Sequence, residues 1–84
     1  MKEYILKNSL RKIVKDLEKN GFQIKRDNDD IRMISVQREL ADHMYSCGFI
    51  HIHKKSKDIL FQFNPGIPFY REELLRVISK YVKY

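Results

Sequence analysis

Leu6, Leu10, Ile13, Val14 and Leu17 recur at the spacing of one stripe on a helix, with Lys7, Lys12, Lys15 and Lys19 away from it. Asn20-Gly21 is a stop signal, because glycine enters the left-handed conformation without a steric penalty. The pattern predicts an amphipathic helix over roughly Glu3 to Asn20. After Gly21 the period changes. Phe22 and Ile24 alternate with Gln23 and Lys25, which predicts a half-buried strand. Asp27-Asn28-Asp29-Asp30 reads as a turn of residues that hydrogen-bond their own backbone. Ile31 to Val36 is rich in strand formers, but Ile31 and Met33 fall on one parity and Ile34 and Val36 on the other. A bulge, or burial on both faces, would account for the slip.

Residues 37–47 carry two patterns. Val36, Leu40, Met44 and Cys47 are spaced 4, 4 and 3, and Gly48 stands where a helix C-cap glycine would. The competing reading continues the strand through Gln37 and Arg38 and makes the rest a loop. The favoured expectation is a short helix. The next block reads as a hairpin. Ile50 and Ile52 share one face of Phe49–His53, Ile59, Phe61 and Phe63 share one face of Asp58–Phe63, and Lys54-Lys55-Ser56-Lys57 is the turn. Asn64-Pro65-Gly66-Ile67-Pro68 then punctuates the chain. A final helix carries the stripe Leu74, Val77, Ile78 and Tyr81, with Glu72 and Glu73 at its positive end and Lys80 and Lys83 at its negative end.

The expected order is therefore α-β-β-(α)-β-β-α. This is an α+β fold in which a four-stranded antiparallel sheet offers one apolar face to the N- and C-terminal helices. A winged helix ranks second, with residues 37–47 as recognition helix and residues 49–63 as wing. It needs another helix in residues 22–36, where the alternation argues against one. Double-stranded-RNA-binding modules share the helix–strands–helix layout, an analogy of layout only. The last helix here opens on Phe69-Tyr70-Arg71-Glu72-Glu73 rather than on a lysine cluster.

Composition narrows the class. Eighty-four residues, 43% hydrophobic and 33% charged, suit one small folded domain over 1–84 rather than a disordered chain. So small a core is marginal alone, and a homodimer would relieve that. One cysteine, Cys47, excludes an internal disulfide framework. No apolar run approaches a membrane span, and Lys7 cuts short any signal-like stretch. The expectation is a soluble, cytoplasmic domain with no membrane partner.

Seventeen Lys and Arg against eleven Asp and Glu give a formal charge of +6. The excess sits in residues 1–20 (six positive, three negative) and residues 49–63 (three positive, one negative). If Ile50 and Ile52 face the core, His51 and His53 face away from it. Together with Lys25, Arg38 and the turn lysines Lys54, Lys55 and Lys57 they would form a basic surface. Such a surface neutralises phosphates with salt-sensitive, sequence-independent affinity. Net charge for solubility is the plainer explanation of the same residues.

No specific motif points elsewhere. His43, Cys47, His51 and His53 are zinc-type ligands within eleven residues, but one Cys with three His is not a common structural set. His51 and His53 could act as acid and base, yet they would stand about 7 Å apart on a strand with no pocket and no orienting carboxylate implied. The Asp27–Asp30 run fails as a calcium loop, with Arg32 where Gly and Arg38 where Glu are needed. Cys47–Lys54 matches the base-stacking strand of RNA-recognition domains only at Gly48, Phe49 and Ile52, and a chain that begins with a helix does not suit them. No glycine-rich phosphate loop is present. Phe22, Phe61, Phe63 and Tyr81 read as packing. Phe69 and Tyr70 either anchor a partner or close the core.

The expectation is a small basic, non-catalytic, regulatory binding module without cofactor. Its partner would be nucleic acid, DNA or RNA, contacted through Lys25, Arg38, His51, His53, Lys54, Lys55 and Lys57. The alternative is an interaction or inhibitor module whose basic face meets an acidic protein.

Overall fold

A computed structural model describes residues 3–26 and 33–83. Among these residues the elements are β1 (Tyr4–Leu6), α1 (Leu10–Lys19), β2 (Gln23–Arg26), β3 (Met33–Leu40), β4 (His43–Ile52), β5 (Ile59–Phe63) and α2 (Arg71–Ile78). The fold is α+β, with an antiparallel sheet and two helices. The sheet has five strands rather than the expected four, in the order β1-β5-β4-β3-β2. The Asp27–Asp30 turn and Ile31 lie outside the described residues.

The fifth strand comes from the segment read as the first turns of the N-terminal helix. Leu6 stands four before Leu10 and so completes a helical stripe on paper. In the fold Asn8 takes a left-handed φ of 73° and separates the two residues. The Ser9 hydroxyl then accepts the Lys12 amide at 3.2 Å and caps α1, which starts at Leu10. Tyr4 pairs with Phe61 and Leu6 with Ile59. The other edge of β1 is closed by the C-terminal segment, where the Lys83 amide donates to the Ile5 carbonyl and the Lys7 amide to the Tyr81 carbonyl, both at 2.7 Å.

Residues 37–47 are strand, which overturns the short helix and with it the recognition helix of a winged-helix reading. β3 and β4 form a hairpin closed at Leu40 and His43. The two residues between them, Ala41 and Asp42, both have positive φ (53° and 67°), as a type I′ turn requires. The pairing register shifts between Val36 and Gln37, leaving Cys47 as the extra residue on β4. That bulge moves Cys47 off the simple alternation and into the core. Burial pushes its thiol above the ordinary value, against a smaller opposing effect of the Arg38 charge.

Cross-strand partners place Ile34, Val36, Ile50, Phe61, Tyr4 and Leu6 on one face of the sheet. Ile13 and Leu17 of α1 and Leu74, Val77 and Ile78 of α2 join them in a single core cluster. Both helices therefore cover the same face. α1 ends in a Schellman motif, in which the Phe22 amide donates to the Leu17 carbonyl and the Gly21 amide to that of Glu18. Gly21 sits at φ 91°, and a Cβ there would also meet the Arg38 guanidinium at 2.8 Å. The helices are tied at their rim by the Tyr81 hydroxyl, which donates to Asp16 Oδ2 at 2.7 Å.

Candidate nucleic-acid interface

The opposite face of the sheet carries neither helix. Its side chains follow from the register. One transverse row runs Lys25, Ser35, Phe49, Gln62 across β2, β3, β4 and β5. The next runs Met33, His51, Leu60, Ile5 across β3, β4, β5 and β1. Beside Phe49 lies a small polar cluster: the Ser35 and Ser46 hydroxyls are 2.7 Å apart, and the Gln37 amide donates to each at 3.4 Å. Amide and hydroxyl groups at this spacing can donate and accept toward a polar ligand.

Two of the expected contact residues are on this face. Lys25 is exposed, opposite Ser35 on β3. His51 points outward as the isoleucine parity required, with Ile50 fully buried behind it. Its imidazole is only about a quarter exposed and pairs through Nε2 with Glu3 Oε2 at 3.5 Å. Its Nδ1 is buried with no hydrogen-bond partner among the described residues.

His53, Lys54, Lys55 and Lys57 lie beyond the end of β4, in its turn into β5, and all four are exposed. His53 belongs to the turn rather than to the sheet face. Its Nδ1 accepts the Lys55 amide at 3.2 Å and the Ser56 amide at 3.3 Å, and its backbone pairs with Asp58 and Lys57. The three lysines project from this locally fixed turn. Arg26 ends β2 on the same end of the sheet, since it pairs with Ile34, and Ile34 with Ile50. The other end, at the β3–β4 turn, carries Glu39 and Asp42 instead.

Arg38 is on the helix-covered face and does not join this surface. Its guanidinium lies 4.4 Å from the Tyr70 ring centroid and 5.1 Å from that of Phe22. It donates to the Asn20 carbonyl at 2.9 Å, satisfying the C-terminal end of α1. Parity with Ile34 and Val36 on β3 was the available signal, and the expectation of a helix over residues 37–47 hid it. Around it lies a shallow cleft of about 210 Å³ lined by Asn20, Arg38, Glu73, Arg76, Val77 and Lys80. Lys80 is drawn off by Asp16 at 3.5 Å.

The aromatic residues divide as expected, with one addition. Phe22, Phe61 and Tyr81 are core. Tyr70 stacks on Arg38, whereas Phe69 is exposed and rests edge-on against Tyr45 with centroids 5.6 Å apart. Phe49, which sequence reasoning left without a role, is the aromatic residue of the open face. Its opposite parity to Ile50 was the available signal.

Among the described residues no three His, Cys, Asp or Glu side chains converge as a metal site would require. His43 is exposed, Cys47 buried, His51 on the open face and His53 in the turn. Likewise, no described helix is long and apolar enough to cross a membrane. The first element among the described residues is a strand, β1, which removes that difference from RNA-recognition domains, but five strands in this order are not their four-stranded sheet. No family model, no curated protein and no solved structure matches the chain.

Proposed function

We propose that the protein is a small non-catalytic nucleic-acid-binding module that uses the open sheet face and the β4–β5 turn. The observation that carries this reading is the coincidence of a sheet face that neither described helix covers with the lysine-rich β4–β5 turn at its end. Lys25 stands on the face, and Lys54, Lys55 and Lys57 lie in the turn at its end. The turn lysines have no ion-pair partner among the described residues, so their charge is free to meet phosphate. His51 is set aside from the contact set, because its Nε2 faces Glu3 and its Nδ1 is buried. His53 supports the turn, and Arg38 is released from the contact set.

The test is fluorescence anisotropy of labelled oligonucleotides at two salt concentrations. Four phosphate contacts, from Lys25 and the three turn lysines, imply an affinity that falls about 50- to 150-fold between roughly 50 and 200 mM salt. Replacing Lys54, Lys55 and Lys57 together by Gln should flatten that dependence and leave the fold intact. Absence of binding at about 50 mM salt, where polyanion attraction is strong, overturns the reading.

A further inference from the structure

Phe49 stands apart from the other aromatic side chains. Among the described residues, Tyr4, Phe61 and Phe63 stack on one another, Tyr45 contacts His43 and Phe69, Phe22 and Tyr70 flank Arg38, and Tyr81 holds Asp16. Among the described residues the Phe49 ring has no ring, guanidinium or ammonium contact. It is half-buried on β4, the middle strand of five, with polar neighbours directly opposite: Ser35 on β3 and Gln62 on β5. Ser35 is short, so the ring is not walled in on that side. Lys25 lies one strand beyond Ser35, about 10 Å away at ordinary strand spacing. The Gln37–Ser35–Ser46 cluster and the Gln62 amide supply hydrogen-bonding groups around it.

A half-buried ring flanked by Ser35 and Gln62, with Met33, His51, Leu60 and Ile5 one row along and Lys25 at the sheet edge, is poorly matched to a duplex. Duplex bases are stacked on each other, and a duplex offers its phosphates and groove edges rather than a base face. A single strand can splay a base onto such a ring while its backbone follows the cations. We propose that the open face takes single-stranded nucleic acid, with a base stacked on Phe49, Lys25 and the turn lysines on phosphate, and the neighbouring amides on base edges. This rests on the nucleic-acid reading above and specifies its ligand class.

The chain contains no tryptophan, so Phe49→Trp adds a single indole reporter at the proposed stacking position. Wild-type protein is titrated with labelled oligothymidylate, oligouridylate and a duplex hairpin. The expected result is single-strand affinity at least about tenfold above duplex affinity, a loss of about tenfold for single strands alone in Phe49→Leu, and affinity retained in Phe49→Trp. The indole emission should be quenched on saturation with oligothymidylate or oligouridylate and unchanged with the duplex. If Phe49→Leu does not fold, the quenching decides alone. Salt-sensitive binding that is indifferent to both variants and unquenched overturns the stacking inference and leaves the polyanion reading standing. No binding of any oligonucleotide at about 50 mM salt overturns both. A Phe49-dependent dimer that oligonucleotide does not dissociate overturns it too, because the second copy then owns the face.

Discussion

The two faces of the sheet are made by the same strands and often by adjacent residues, yet they are built for different work. On the covered face Ile34, Val36, Ile50 and Phe61 are fully buried against two helices. On the open face the neighbours of those residues, Met33, Ser35, Gln37, Phe49, His51, Leu60 and Gln62, are half-buried at most and mix polar with apolar side chains. Close packing makes the first face intolerant of lost volume. The second contributes little to stability and is free to carry contacts with something else. A one-residue step along β5, from Phe61 to Gln62, crosses from one regime to the other.

The sharpest way to break this contrast is to truncate that pair. Phe61→Ala removes a fully buried ring and should cost about 3–5 kcal/mol, a large part of the stability expected of 84 residues, which is of order 4–12 kcal/mol. Gln62→Ala should change stability by less than about 0.5 kcal/mol. Urea titrations of the two variants decide it. Comparable losses would mean that the open face is packed against something, and the division of labour fails.

Gly48 sharpens the same contrast from the backbone. It sits on β4 opposite Val36 and Phe63, and a Cβ there would come within 2.7 Å of the Phe61 ring and 3.1 Å of the Gln62 carbonyl. The ring is seated directly on the strand, which glycine alone permits. Gly48→Ala should cost about 1–3 kcal/mol by displacing Phe61, read from the shift in urea midpoint at unchanged slope. A neutral outcome would mean that Phe61 can repack elsewhere.

The covered face was legible wherever a pattern was local. Ile13, Val14 and Leu17 mark α1, Asn20-Gly21 marks its end, and Ile50, Ile59 and Phe61 mark the β4–β5 hairpin by plain alternation. Two errors arose where local patterns mislead. Leu6 is in phase with Leu10 by accident of spacing, and only the left-handed turn at Asn8 breaks the run. Val36, Leu40, Met44 and Cys47 imitate a helix by coincidence of spacing: in the hairpin Met44 is exposed opposite Glu39, while Val36 and Cys47 are core. Of the candidate site, Lys25 and His51 were readable from parity and the lysine turn from its composition. Arg38 shares the parity of Ile34 and Val36, so its face was legible, but its partners Asn20, Phe22 and Tyr70 are brought to it by tertiary structure.

A polar tie at the rim of the covered side gives a smaller, pH-dependent effect. The Tyr81 hydroxyl, more than the nearby Lys80, holds Asp16 below its ordinary value near 3.8, and the same bond pushes the Tyr81 phenol up. A lowered carboxylate pKa adds stability that is complete above that ordinary value and is lost as pH falls through the lower folded-state value. Tyr81→Phe should therefore cost about 1 kcal/mol at neutral pH, and the difference from wild type should shrink below about pH 4. Urea titrations at neutral pH and near pH 3 test this. An undiminished difference in acid would assign the loss to packing of the ring instead.

The β3–β4 turn belongs to neither face and shows what the hairpin costs to make. Ala41 holds φ at 53°, a conformation in which its Cβ is crowded by its own carbonyl. Nothing in Leu40-Ala41-Asp42-His43 advertises a two-residue turn, because the Asn-Gly or Asp-Gly pair that such turns favour is missing. The long β3–β4 pairing imposes the turn on a residue that resists it. Ala41→Gly relieves the crowding, while the greater freedom of glycine in the unfolded chain offsets part of the gain. The net expectation is a stabilisation of about 0.5–1 kcal/mol, with the core and the open-face ligand contacts unchanged. Thermal denaturation measures the first, and oligonucleotide affinity checks the second. A destabilised Ala41→Gly would show that the turn does not hold the left-handed conformation, and would reopen the register of the hairpin on which both faces depend.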